Sequence, residues 1–307
     1  MKIFFIFVMF IYNLSFSLNF EILKEMLEGN TFNYIGYDHL ERVWIANFVS
    51  GKIIFLTNEN QKRSIDSIKD MDLLCDLDLD WGEIFANFGG NNIYIYKDGK
   101  FKKRILTKDP VLGICWIKDE EIVFAALGED KKIKIIMYNI ETDIQEELRN
   151  PISDVYERDV PYIYLRYNYE KKYLYAFDFS KMRLLILSME KKIPILQFGM
   201  EIKSEPKKYN LVIKKEIESS KGNYSYNFLL PKINFGIDKE GNFFILDNCK
   251  RDKDVVIRKI LLSKEMKRMD TYALNNCPEN VFYFKGSYIF YTLKGSNVIY
   301  LDFVKDN

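Results

Sequence analysis

The run Asp76-Leu77-Asp78-Leu79-Asp80 carries a carboxylate at every second position. On an extended strand that period puts all three acids on one face and both leucines on the other. An acidic face packed among neighbouring strands needs water or a hard cation. Calcium, which takes several carboxylate and carbonyl oxygens, suits it. Asp76, Asp78 and Asp80 are therefore the candidate metal ligands. The run is not an EF-hand loop, because Trp81 stands where that loop needs glycine and Asn87 where it needs the bidentate glutamate. The competing explanation is plain solvation, the usual fate of acidic clusters.

Other chemistry is thinner. His39 is the single histidine and falls in a polar turn. No nucleophile elbow and no glycine-rich loop leading into a helix is present. Tyr162, Tyr164 and Arg166 share one face of a strand-like run, where they suit stacking on a small ligand or glycan. Packing against a neighbouring sheet explains the tyrosines equally well. A long connection over 200–227 carries Lys207, Lys208, Tyr209, Lys214, Lys215, Tyr224 and Tyr226, basic pairs interleaved with tyrosine that fit an acidic protein surface. A solvated hairpin extension is the plainer account. Of the four cysteines, Cys249 and Cys277 sit near loops and form the candidate disulfide, whereas Cys75 and Cys115 lie inside apolar runs as core residues.

The elements that must position these residues are strands. Most apolar runs are short, rich in Ile, Val, Phe and Tyr, and bounded by turn residues such as Ser50-Gly51, Gly89-Gly90, Asp98-Gly99 and Lys294-Gly295. They also repeat. Ile45-Ala46-Asn47-Phe48 recurs as Phe85-Ala86-Asn87-Phe88 and again as Phe124-Ala125-Ala126-Leu127. Related second strands follow at Tyr173–Phe177, Phe243–Leu246 and Tyr288–Tyr291, each with a third strand behind it. A repeat of roughly 40 residues with about four strands is the signature of a propeller blade. One blade cannot cover its own two apolar faces, so blades stack around a central channel. The expected fold is all-β, a six-bladed β-propeller, with seven blades as the alternative. Phe20–Leu23 would supply the strand missing from the last copy, unless that segment is a short helix.

The stretch Ile233-Asn234-Phe235-Gly236-Ile237-Asp238-Lys239-Glu240-Gly241-Asn242-Phe243-Phe244-Ile245-Leu246-Asp247 resembles the repeat of six-bladed NHL and TolB-like propellers. There a first strand ends in Asp, a turn carries Gly, and a second strand ends near Asp or Asn. A second similarity is to six-bladed lactonases, which hold a catalytic calcium through Glu, Asn and Asp. Their fifth-blade aspartate lies in a Pro-Asp-Gly run, and the matching stretch here reads Pro231-Lys232-Ile233, without that ligand. Asn47, Asn87 and Asp247 fall at the ends of second strands, where turn capping is the commoner task.

Composition sets the outer bounds. With 48% hydrophobic residues the chain is too apolar for disorder, and 45 basic against 44 acidic residues give no global charge for nucleic acid or an anionic membrane. Lys2, the apolar run Ile3–Ile11 and the small residues Ser15 and Ser17 have the layout of a secretory signal peptide over 1–17. The run is short of the about 20 residues that span a bilayer, an uncleaved anchor being the rival reading, and no later stretch reaches that length. The expectation is one propeller domain over 18–307, exported to the bacterial periplasm or beyond. Its leading function is a non-catalytic scaffold for a protein partner. The rivals are a calcium-dependent, lactonase-like hydrolase in the channel and a small-ligand or glycan binder.

Overall fold

Alternating β-branched and aromatic residues closed by polar turns have little choice but to pair with the next run along the chain, and they do so throughout. The computed structural model describes residues 21, 24–29, 34–37, 43–47, 52–56, 62–65, 74–78, 82–87, 90–97, 100–150, 155–156, 159–160, 163–178, 181, 183–199, 227–228, 235–238, 240–249, 254–261, 266–274, 278, 280–284, 286–294 and 297–305. Strands β1 (Tyr34–Tyr37), β2 (Val43–Asn47), β3 (Lys52–Leu56) and β4 (Lys62–Ile65) form one antiparallel meander. Next come β5 (Leu74–Asp78), β6 (Glu83–Asn87), β7 (Asn92–Lys97) and β8 (Lys100–Leu106), then β9 (Val111–Lys118), β10 (Glu121–Leu127), β11 (Ile133–Asn139) and β12 (Gln145–Leu148).

The short β13 (Asp159–Val160) precedes the sheet of β14 (Ile163–Asn168), β15 (Tyr173–Asp178), β16 (Arg183–Ser188) and β17 (Ile193–Gly199). β18 (Asn227–Phe228) adds only a two-residue parallel pair with β13. The last sheets are β19 (Phe235–Ile237), β20 (Phe243–Cys249), β21 (Asp254–Leu261) and β22 (Met266–Ala273), and then β23 (Asn280–Phe284), β24 (Ser287–Lys294) and β25 (Asn297–Lys305). The six expected second strands are β2, β6, β10, β15, β20 and β24, each in the second place of its sheet. Glu21 and residues 24–28 are helical, with Met26 and Leu27 buried; Phe20, Ile22 and Leu23 of the expected closing strand lie outside the described residues. The expected signal peptide, 1–17, lies outside the described residues.

The chain divides into two compact units, Asp70–Lys232 and the pair of segments Met1–Lys69 and Ile233–Asn307. In the first unit β9 packs against β5 and β14, the leading strands of the sheets before and after it. That placement buries seven of its eight residues. Ile93, Ile95 and Ile105 of one sheet meet Val111, Ile114 and Phe124 of the next in a continuous apolar layer. In the second unit β23 packs against β19 and β1. There Phe244, Val255 and Ile257 meet Val281, Tyr288 and Phe290. Burying apolar area at about 25 cal/mol per Å² is what makes each sheet need its neighbour. The turns fit their residues: Lys131, Lys172 and Lys192, one from each of three lysine pairs, take positive φ at hairpin turns.

Candidate functional site

Among the described residues, three places hold polar groups that are candidates for a functional site. The first is the leading strand β5. Its pairing to β6 runs Leu74↔Asn87, then Asp76↔Ala86 and Asp78↔Ile84, so Cys75 is the extra residue of a bulge. Asp76 and Asp78 occupy alternate positions of this strand, as expected. Their side chains, and Asp80 altogether, lie outside the described residues. Among the described residues, no group of three or more His, Cys, Asp or Glu is placed to hold a metal.

The second place is β14, also a leading strand. Tyr164 and Arg166 do share a face, and the guanidinium lies 4.5 Å from the Tyr164 ring centroid. Its Nη1 donates to the Leu165 carbonyl at 2.6 Å, and Tyr164 is buried beneath it. A cation held over an aromatic face is attracted by the ring quadrupole and loses little further freedom when it meets an anion or a sugar ring. Tyr162 lies outside the described residues.

The third place is the β7–β8 hairpin, whose significance the sequence reading missed. Its pairs run Asn92↔Leu106, Ile93↔Ile105, Tyr94↔Arg104 and Ile95↔Lys103, then shift to Tyr96↔Phe101. Lys102 is thus the extra residue. Simple alternation from Ile105 would carry Phe101 into the core; the bulge turns it out beside Tyr96, ring centroids 5.5 Å apart and edge to face. Phe101 is 57% exposed and Leu106 75%. Arg104 donates from Nε to Asn92 Oδ1 at 2.8 Å and lies over the Tyr94 ring. Lys103 is anchored by Asp143 Oδ1 at 2.5 Å and the Ile140 carbonyl at 2.6 Å. That contact, with the Tyr138 hydroxyl second, holds the Asp143 carboxyl below the usual carboxylate range. The signal was there to read, four cations in the five residues 100–104.

A cluster of buried charge lies in the unit that contains β19–β25. Lys259 on β21 is buried, with its ammonium 3.7 Å from Asp238 and 3.5 Å from Asp270. It also lies 4.9 Å from the Tyr288 ring centroid. Asp238 caps the β19–β20 turn, its Oδ1 accepting from the Asn242 amide N–H at 2.8 Å. Burial pushes its carboxyl above the usual range, while Asn242 and Lys259 pull it back. The three charges belong to one sheet, and the Lys259–Tyr288 contact joins it to the next. The Asp238 position is the strand-ending Asp of the repeat resemblance, and its observed work is turn capping. A parallel case is Asp178, buried, which takes a hydrogen bond from the Tyr156 hydroxyl and caps its own turn through the Lys181 amide.

The remaining expected residues divide plainly. Lys207, Lys208, Tyr209, Lys214, Lys215, Tyr224 and Tyr226 lie outside the described residues, as do His39 and Cys277. Cys249 ends β20, with only its backbone described. Cys115 is a buried core residue, as expected.

Antiparallel meanders whose leading strands pack on one another define a β-propeller. No family model matches the chain, and no curated protein matches it by sequence. Solved structures do share the fold. An auxiliary nutrient binding protein from Bacteroides thetaiotaomicron VPI-5482 aligns over 90% of this chain and 70% of its own, at 12% identity and a TM-score of 0.54. A streptogramin B lyase aligns over 91% and 83%, at 11% identity and TM-score 0.53. A Bacteroides caccae protein of unknown function aligns over 86% and 90%, at 9% identity and TM-score 0.51. At these identities the likeness is one of fold.

Proposed function

We propose that this chain is an exported, non-catalytic propeller of the six-bladed NHL/TolB-like type whose work is to hold a protein partner. The observation that carries the reading is the β8 edge, where exposed Phe101 and Leu106 stand among Lys100, Lys102 and Arg104. A single exposed apolar side chain is ordinary; two on one edge strand, ringed by cations, have the make-up of an interface. The fold alone does not choose, since similar folds include a lyase and a nutrient binding protein. The 200–227 connection is the second proposed contact. The test is site-specific photocrosslinking in the exported fraction with probes at 101, 106, 144, 195 and 209. Adducts at one or more positions, lost under competition by unlabelled chain, support the reading; adducts at none refute it.

A second reading is favoured by Arg166 stacked on Tyr164, which suits a small anionic or sugar ligand at the leading strands. The hydrolase reading needs calcium at Asp76, Asp78 and Asp80. A calcium-dependent rise in melting temperature, abolished by alanine at those three positions, would put it ahead; on the protein-binding reading calcium and chelator give the same melt.

A further inference from the structure

We infer that the outer edge of β8 is a docking strand for an extended, acidic polypeptide segment. The inference rests on the protein-binding reading and adds where the partner sits and what its chemistry is. β8 ends its sheet, pairing only with β7 among the described strands. The Thr107 amide donates to the Asn91 carbonyl at 2.8 Å, which sets the phase of the ladder. By antiparallel alternation Lys103 and Ile105 spend their backbone groups on β7, whereas Arg104 and Leu106 turn N–H and C=O outward. An extended segment laid along that edge finds main-chain partners at every second residue.

The side chains specify the segment. Residues 100–106 include Lys100, Lys102, Lys103 and Arg104 and no carboxylate. Lys103 is spent on Asp143, and Arg104 is steered by Asn92 and Tyr94. Lys100 and Lys102 are exposed and pair with no described carboxylate. Acidic side chains would find both, with Phe101 and Leu106 receiving apolar residues between them. The edge of the neighbouring sheet offers no such cations, since β12 reads Gln145-Glu146-Glu147-Leu148 and Glu146 is held by Lys192. Lysines can guard an edge against self-pairing, but that task asks for no exposed Phe and Leu beside them.

The test is fluorescence anisotropy on the whole chain with a labelled peptide of alternating glutamate and valine, matched to the seven residues of β8. Saturable binding that weakens with salt is expected. Two variants should each weaken it about tenfold or more, a shift of about 1.4 kcal/mol. One is Lys100→Glu with Lys102→Glu; the other is Leu106→Pro, which removes an outward N–H at an edge position that tolerates proline. Melting of each variant checks that it folds. The inference is overturned if Leu106→Pro binds as wild type, or if a single-stranded oligonucleotide of equal charge binds as tightly as the peptide. Absent peptide binding with crosslinks surviving at 144, 195 or 209 defeats this inference and leaves the protein-binding reading standing. Absence of both defeats both.

Discussion

Replacing Lys259 by methionine keeps the aliphatic stem over Tyr288 and removes only the ammonium. Asp238 and Asp270 then lose that ammonium at a place with little access to water; their side chains are 0% and 12% exposed. Breaking a buried pair by deleting one partner costs about 3–5 kcal/mol at neutral pH. For a chain of this size, at about 2–4 °C per kcal/mol, the melting temperature should fall by about 10 °C. The pH dependence has a definite sign. Asp238 already has its carboxyl raised by burial, and losing Lys259 raises it further. An acid whose folded value lies above its unfolded one costs stability above the folded value, and that cost disappears as pH falls toward the unfolded value. The Lys259→Met penalty should therefore be full at pH 7.5 and much reduced near pH 4. Urea and thermal melts at both pH values measure it. Adding Asp238→Asn and Asp270→Asn should restore most of the loss, because the buried charges then vanish together. A penalty below about 1 kcal/mol, equal at both pH values, would refute the reasoning and make the cluster an ordinary surface one.

Further expectations follow from the same geometry. Lys134 donates to buried Asp109 at 2.9 Å, and that bond holds the ammonium above its usual value. Its contribution is complete below the unfolded lysine value and is lost as pH rises through the folded one, so Asp109→Asn should flatten the alkaline limb of the melting curve; an unchanged limb counts against the pair. Gly241 sits at φ 77° in the turn that Asp238 caps, and Gly241→Ala should cost about 1–2 kcal/mol in a urea melt, whereas alanine tolerated without loss would mean the turn adopts another shape. Asp143→Asn should remove the acid-side dependence that its contact with Lys103 creates, visible as a smaller drop in melting temperature as pH falls through the carboxylate range.

How much of this was legible beforehand depends on whether the determinant was local. Ile45, Phe85, Phe124 and Phe243 sit in second strands because a strand's alternation and its flanking turn residues act over a few positions. The same locality put Tyr164 and Arg166 on one face and buried Cys115. The carboxylates of 76–80 show the limit: strand β5 takes in Asp76 and Asp78 as read, but a bulge at Cys75 enters the ladder, and no alternation rule announces it. Phe101 shows it more sharply, since an extra residue at Lys102 reverses the face that periodicity assigns to it.

The sequence by itself determined the class of fold, the order of strands within each sheet and the turns that join them, because hairpin pairing joins neighbours in the chain. Only the tertiary structure decided which side chains of different sheets meet. Lys259 carries no local mark of burial; it is buried because β21 faces Tyr288 on another sheet and stands between Asp238 and Asp270. Met26 and Leu27 of the helical residues 24–28 are likewise buried only in the folded chain. The edge at β8 is also a property of the assembled sheet, since a strand is an edge only where no other described strand has come to pair with it.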